Sequence, residues 1–183
     1  MRTIFSIIVL AAISVGAAPV QRDSTTPPRR DLLGKQFEAR ITRVADGDSL
    51  DATAAGDSRT LRLRLEGIDA PELGEVFSRE AQAHLRTLVF AKSVRVSVSD
   101  IDRYGRLVAR VRAAGTDASV ALVRAGLACH AYARDAALAR EESQARAAGV
   151  GFWAATAKKP ACVVKTSFSA KPSPRSPRRR EMR

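Results

Sequence analysis

The sequence predicts an α+β fold in which a five-stranded β-barrel carries three helices. Five short runs alternate apolar and polar residues, which is the pattern of strands that bury one face. Three of these runs precede the first helical segment, two runs follow it, and two further helical segments complete the order. Strands and helices in this order suit a five-stranded barrel with attached helices.

The first 35 residues precede the predicted domain. A positive n-region is followed by an apolar run from Ile4 to Val15 and then by small residues, as in a secretory signal peptide. With cleavage after Ala17, residues 1–17 form the signal peptide and residues 18–35 form a linker or short pro-segment. We therefore expect a secreted or periplasmic protein. An uncleaved membrane anchor is the alternative, because the uncharged run is near the lower length of a membrane span.

Three predicted strands open the domain, which we place at residues 36–155. Alternation begins in residues 37–41, and it continues in the runs Leu50–Thr53 and Thr60–Leu65. These two runs are expected to pair as a hairpin through the turn residues Gly56–Asp57. The hairpin would bring the polar segments that flank its open end together.

A helix, two strands and two more helices are predicted to follow. Ser78 is expected to cap the first helix, which is predicted to end near Ala91. The later elements are strands over residues 94–98 and 107–111, helices over residues 119–125 and 135–148, and an aromatic pair, Phe152 and Trp153, expected to dock on the core. This order makes an OB-type barrel, a fold that binds nucleic acids through one face, the preferred interpretation.

The charge distribution favours an anionic partner. The chain has a net charge of +12, and half of this excess lies in residues 163–183. Basic proteins of this kind bind polyanions such as nucleic acid. Residues 156–183 are interpreted as a C-terminal extension with a disordered basic tail, which could hold a polyanion reversibly. A solvated tail without a dedicated role is the alternative.

Two acidic turns form the first candidate site. Asp46 and Asp48 flank a glycine before the second strand, and Asp69 and Glu72 flank an Ala-Pro pair after the third. Each turn alone is an ordinary turn sequence, but the hairpin would bring both turns to one end, beside an arginine. Clustered carboxylate oxygens suit Ca²⁺ or Mg²⁺, and an arginine beside such an ion suits a phosphate.

Further polar positions complete a recognisable pattern. In order, they are Asp46-Gly47-Asp48-Ser49, Arg64, Asp69-Ala70-Pro71-Glu72, Asp102-Arg103-Tyr104-Gly105-Arg106 and the stretch from Ala121 to Ala128. In this order and spacing the sequence resembles the staphylococcal nuclease (thermonuclease) family. The resemblance runs from about Phe37 to Trp153, which is nearly the whole predicted domain.

The resemblance implies a metal site and a phosphate site. Asp48, Asp69 and the backbone carbonyl of Ala70 match the ligands of a Ca²⁺ ion in that family. Arg64 and Arg106 match the two arginines that hold the scissile phosphate.

The resemblance also implies roles around these two sites. Glu72 matches the residue proposed as general base, Tyr104 and Tyr132 match tyrosines of the nucleotide pocket, and Asp46 matches an acidic neighbour of the metal. The loop from Leu73 to Arg79 is shorter than the corresponding loop of the staphylococcal enzyme.

The function implied by the resemblance is a Ca²⁺-dependent nuclease. Such an enzyme hydrolyses DNA and RNA endonucleolytically and leaves 3′-phosphate ends. It is expected to act as a monomer, and no protein partner is implied. A barrel that only binds single strands of nucleic acid is the alternative. The enzyme is favoured because all five side chains of the catalytic set are present: Asp48, Arg64, Asp69, Glu72 and Arg106. A basic protein that acts only through its tail would explain none of them.

The two cysteines form a separate candidate feature. In an exported protein, Cys129 and Cys162 are expected to form a disulfide that ties the segment after Trp153 to the strand before the last helix. A zinc site would have to recruit His84 and His130 as well, and adjacent Cys129 and His130 are poorly placed to bind one ion.

Overall fold

The computed structural model describes residues 30–131 and 135–163. The predicted signal peptide, residues 18–29 of the linker, the basic tail beyond residue 163 and Tyr132 lie outside the described residues. The strands are β1 (Gln36–Val44), β2 (Ser49–Ala54), β3 (Thr60–Leu65), β4 (Ile68–Asp69), β5 (Ser93–Ile101), β6 (Leu107–Ala113), β7 (Thr116–Asp117) and β8 (Cys129–His130). The helices are α1 (Ser78–Val89), α2 (Ala118–Arg124) and α3 (Ala136–Ala148), with single 3₁₀ turns at Arg30–Leu32 and Gly151–Trp153.

Five of the strands close into a barrel. β3, β2, β1, β5 and β6 pair in that order as antiparallel neighbours. β3 then pairs with β6 in parallel, with Leu63 opposite Leu107, and this pairing closes the sheet. The predicted α+β fold, an OB-type five-stranded barrel with three helices, is thereby confirmed.

The hairpin of β2 and β3 shows why these residues form strands. Leu50 lies opposite Leu63, and Thr53 lies opposite Thr60. Leu63 is fully buried in the barrel core, whereas the neighbouring Arg62 points to solvent. Alternate side chains therefore separate into a dry core and a polar outer face, as the period-2 pattern requires. The same register brings the two acidic turns to the open end of the hairpin.

The start and end of α1 differ from the prediction. Ser78 does not cap the helix; it is the first helical residue and is buried, while Phe77 occupies the cap position in a left-handed conformation with φ 65°. The helix ends at Val89 rather than near Ala91, whose own φ of 58° is incompatible with a continuing helix. Tertiary packing of the loop before α1 thus outweighs the local capping preference of serine.

A second, smaller apolar cluster lies beside the barrel core. Its buried members are Cys129, Phe152, Cys162 and Val163, and Phe77 and Trp153 pack against it. We call these six residues the extension cluster. Phe152 is fully buried, so the predicted docking of the aromatic pair is observed. Cys129 and Cys162 form a disulfide with their Cα atoms 6.0 Å apart.

The extension cluster depends on a close approach of two backbone segments. A Cβ atom on Gly151 would lie 2.2 Å from the carbonyl oxygen of Gly126. The backbone N–H of Phe152 donates to that same oxygen at 3.0 Å. Glycine at both positions therefore lets the segment carrying Phe152 lie directly on the end of α2.

None of the helices in the described part of the chain is long and apolar enough to cross a membrane.

Candidate active site

The first acidic turn is anchored on helix α1. The Oδ1 atom of Asp46 accepts hydrogen bonds from the backbone N–H groups of Asp48 at 2.9 Å and Ser49 at 2.7 Å. Gln82, on α1, donates through Nε2 to the carbonyl oxygens of residues 44–45, at 3.2 and 2.9 Å. Asp46 therefore shapes the turn, and the turn sets the direction of the Asp48 side chain.

The two acidic turns lie in close contact. A Cβ atom on Gly47 would lie 2.6 Å from the Cβ of Ala70 and 2.8 Å from the Cβ of Ala81. Glycine is therefore needed at position 47 for space, because the first turn is pressed between the second turn and α1. This contact brings the predicted ligand residues of both turns to one place.

Arg64 joins the two carboxylates that were predicted as metal ligands. Its Nη1 donates to Asp48 Oδ1 at 2.7 Å, and its Nη2 donates to Asp69 Oδ1 at 3.0 Å. The second oxygen of Asp48 accepts the backbone N–H of Ala70 at 3.1 Å. Asp48, Arg64, Asp69 and Ala70 therefore occupy one partly buried site at the open end of the hairpin.

Asp48 is a buried carboxylate, only 4% exposed, that lacks full electrostatic compensation. Burial raises its pKa to about 6, the positive charge of Arg64 acts against that rise, and the negative charge of Asp46 adds to it. Burial therefore disfavours the negative charge of Asp48 in the protein alone. A bound cation would stabilise that charge, so the residues present fit a divalent ion.

The oxygen donors suit a hard ion with an open coordination sphere. Among the described residues, no group of three or more acidic, histidine or cysteine side chains could hold a metal ion. An ion between Asp48 and Asp69 would therefore take further oxygens from the backbone, water or substrate. Ca²⁺, which binds roughly six to eight oxygens in flexible geometry, fits such a site.

Arg106 reaches the same site from the turn between β5 and β6. Its Nε donates to Asp102 Oδ2 at 2.7 Å, and its Nη1 donates to Ser49 Oγ at 3.2 Å. The hydroxyl of Ser49 in turn donates to Asp48 Oδ1 at 3.0 Å. A continuous chain of hydrogen bonds thus links Asp102, Arg106, Ser49, Asp48 and Arg64, and it places both arginines at one site.

Asp102 is expected to hold Arg106 in a pH-dependent way. Partial burial acts to raise its pKa, but hydrogen bonds from the N–H groups of Arg106 and Tyr104, together with the Arg106 charge, outweigh burial and lower it below 3.8. Asp102→Asn is expected to lower the free energy of unfolding by about 1 kcal/mol at neutral pH. A carboxyl with a lowered folded-state pKa stabilises fully above its unfolded pKa, so this difference should begin to shrink as the pH falls below 3.8 and be lost as the pH passes the lower folded-state pKa.

Urea unfolding of wild type and Asp102→Asn between pH 3 and 7 measures this difference. Asp100→Asn is the matched control, because Asp100 lies at the end of β5 and, within the described part of the chain, its side chain accepts a hydrogen bond only from the neighbouring backbone N–H of Ile101. A difference between wild type and Asp102→Asn that stays constant over the whole pH range would contradict the assigned ion pair.

Two predicted residues, Glu72 and Tyr104, are exposed and take no part in this chain of hydrogen bonds. Glu72 is exposed, and its backbone N–H donates to Glu75 Oε2 at 3.1 Å. Tyr104 is 59% exposed, with the guanidinium groups of Arg103 and Arg106 at 4.8 and 5.6 Å from its ring centre. The Tyr104 ring is therefore accessible to solvent beside Arg106.

Sequence reasoning missed three residues that position the site. Ser49 and Asp102 were within the quoted motifs but were given no role, although a hydroxyl and a carboxylate beside arginines are a usable signal. Gln82 had no signal, because only the folded structure places α1 against the first acidic turn.

Comparison with known proteins places the chain in a family. A sequence model described as staphylococcal nuclease homologue matches residues 62–155. Micrococcal nuclease from Shigella flexneri is 32% identical over 157 residues, covering 79% of this chain and 86% of that protein. Staphylococcal-like nuclease CAN1 from Arabidopsis thaliana is 38% identical over 151 residues, covering 81% of this chain and 45% of that protein. The match to an uncharacterized 38.1 kDa protein from Capnoides sempervirens, 36% identical, covers 70% of this chain but 38% of that protein. Together with the barrel and the clustered site, these matches show that the chain belongs to the staphylococcal nuclease homologue family.

Proposed function

We propose that the protein is a nuclease that hydrolyses phosphodiester bonds in DNA and RNA with Ca²⁺ as cofactor. The observation that carries this proposal is the hydrogen-bond chain from Arg64 through Asp48 and Ser49 to Arg106. It concentrates two guanidinium groups and a buried carboxylate at the edge of a barrel. The nuclease names of the relatives support the same reaction class.

The two arginines bind and stabilise the phosphate. Each guanidinium presents a planar fork of donors that matches the oxygens of a phosphodiester. As water adds to phosphorus, negative charge grows on the nonbridging oxygens, and Arg64 and Arg106 stabilise that charge. A Ca²⁺ ion held by Asp48, Asp69 and the carbonyl of Ala70 would supply Lewis-acid polarisation of a phosphoryl oxygen.

Glu72 serves the attacking water. Its exposed carboxylate can orient that water or accept its proton. Attack at phosphorus with departure of the 5′-oxygen leaves a 3′-phosphate end. Tyr104 can stack on a neighbouring base, which is a contact that tolerates any sequence and suits endonucleolytic cleavage of many sites.

The composition of the N-terminal segment supports a proposal for where this reaction takes place. We propose that residues 1–17 direct export and that the mature protein acts as a monomer in the periplasm or outside the cell. Retention of the N-terminal segment would anchor it to a membrane instead.

Digestion of single-stranded DNA, duplex DNA and RNA by the purified protein tests the proposal. We expect cleavage with Ca²⁺, loss of cleavage in chelator, and products that a 3′-phosphatase converts to 3′-hydroxyl ends. Glu72→Gln is expected to lower kcat by about 10²-fold or more. Glu80→Gln is the matched control, because Glu80 is an exposed carboxylate in the first turn of α1.

Two results would contradict the proposal in different ways. Tight DNA binding without cleavage by any divalent ion would make the protein a nucleic-acid-binding barrel. Equal activity of Glu72→Gln and Glu80→Gln would show that Glu72 has no catalytic role. The two arginines would then be the main side chains that stabilise the transition state.

A further inference from the structure

The strand that carries Asp69 pairs with β8. β4 and β8 form a separate two-stranded sheet, in which Asp69 lies opposite Cys129 and Ile68 lies opposite His130. The backbone N–H of Ala131 extends this pairing by donating to the carbonyl of Gly67 at 2.9 Å. The position of the Asp69 backbone therefore follows the position of β8.

β8 is covalently tied to the C-terminal extension. Cys129 is fully buried, and its disulfide partner Cys162, 3% exposed, lies in the last described segment of the chain. The two cysteines are 33 residues apart, and α3 lies between them in the chain. The disulfide therefore joins β8 to the segment that follows residue 155, where the match to the family model ends. The extension is thus held directly behind the residue that pairs with Asp69.

The extension cluster, which contains both the disulfide and Phe152, also packs against the end of the loop that begins at Glu72. The loop ends at Phe77, whose ring packs edge-on against Phe152 with centres 6.0 Å apart, inside the extension cluster. Phe77 has a left-handed backbone conformation that is costly for a bulky residue, so packing must hold it there. Between these ends, the N–H of Glu75 donates to the carbonyl of Glu72 at 2.9 Å, which makes the loop one compact turn.

We propose that Cys129, Cys162 and Phe77 are positioning residues for the active site, and that the disulfide fixes Asp69 through β8 and Glu72 through Phe77. This inference rests on the proposed nuclease function. The extension cluster supports Asp69 and Glu72, which lie outside the five strands of the barrel. The backbones of Arg64 and Arg106 belong to barrel strands and turns, so the extension cluster does not set them, although one Arg64 nitrogen also bonds to Asp69.

This division of the site predicts a specific kinetic signature. Opening the disulfide should lower kcat by about 10- to 100-fold, because small displacements of catalytic groups cost this much. The Ca²⁺ concentration for half-maximal activity should rise, because Asp69 is displaced. The KM for DNA should change less than threefold, because both arginines keep their places.

The experiment compares four samples. They are oxidised wild type, wild type reduced with dithiothreitol, the same protein after reoxidation, and the double variant Cys129→Ala/Cys162→Ala. Phe77→Ala and Phe77→Leu are measured beside them, and leucine is expected to restore most of the kcat that alanine loses. Val96→Ala is the control for lost stability alone, because Val96 is buried in β5, which contributes no side chain to the site. All assays are run below the lowest Tm of the set.

Hydrogen exchange supplies a readout that does not depend on catalysis. Amides of residues 68–77 should exchange faster when the disulfide is open, while the barrel strands β1–β3 keep their protection. If wild type is inactive on every nucleic acid, the proposed function fails, and exchange alone decides whether the disulfide orders this segment. Unchanged exchange, or a kcat loss no larger than that of Val96→Ala, would overturn the proposal.

Discussion

Arg64→Lys is expected to lower kcat/KM for nucleic acid roughly 10³–10⁵-fold, by analogy with other arginine clamps on transferring phosphoryl groups. Lysine keeps the positive charge but has a single nitrogen. The guanidinium of Arg64 uses two nitrogens, donating from Nη1 to Asp48 at 2.7 Å and from Nη2 to Asp69 at 3.0 Å. One carboxylate would then lose its hydrogen bond to residue 64, and the phosphate would lose a two-point contact. Steady-state cleavage of a short labelled oligonucleotide measures the loss.

Arg62→Lys is the matched control for that substitution. Arg62 lies two residues earlier on the same strand, points to solvent and undergoes the same chemical change. Its activity should remain within a few-fold of wild type, because a surface charge retained by lysine contributes little. Comparable losses in both variants would show that the strand as a whole, rather than the Arg64 fork, accounts for the activity.

Gly151→Ala is expected to lower the free energy of unfolding by about 2–5 kcal/mol, the largest effect on stability that the structure predicts. The new Cβ would lie 2.2 Å from the carbonyl oxygen of Gly126, which is backbone and cannot move aside cheaply. Overpacking of this kind costs about 1–3 kcal/mol, and a side chain at φ 57° adds about 1–2 kcal/mol. Urea unfolding followed by Trp153 fluorescence measures the change.

Gly149→Ala separates the two costs. Gly149 ends α3 with φ 62°, but a Cβ there would meet nothing within 4 Å. Only the backbone cost of about 1–2 kcal/mol should remain. If the two alanine variants were equally stable, the close approach of Gly151 to Gly126 would carry no energetic weight.

The sequence was sufficient to predict the barrel strands and the core of the site. Alternation over six residues, as in β3, specifies which face is buried, and pairing of β2 with β3 then brings Asp48 near Asp69 without further information. Two-residue strands such as β4 and β8 could not be predicted, because an alternating pattern needs more positions than they have. Their pairing also depends on tertiary structure that no local pattern reports.

Helix capping shows the limit of local preference in this chain. Asp135 caps α3 through hydrogen bonds to the N–H groups of Ala137 and Leu138, so a capping residue there does what its chemistry predicts. Ser78 has similar chemistry but is buried, and the loop before it ends in the packed ring of Phe77. The prediction of a serine cap was wrong because burial in the folded protein competed with it.

The parallel pairing that closes the barrel also bears on how the protein acquires activity. Leu63 and Leu107 are far apart in the chain, and their pairing requires closure of the long intervening loop. Such non-local contacts form slowly during folding. Arg64 and Arg106 stand on opposite sides of that seam, so neither hairpin alone assembles the site. The folding chain should therefore be unable to cleave nucleic acid until β3 pairs with β6. The rate at which cleavage activity recovers during refolding would measure the rate of that pairing.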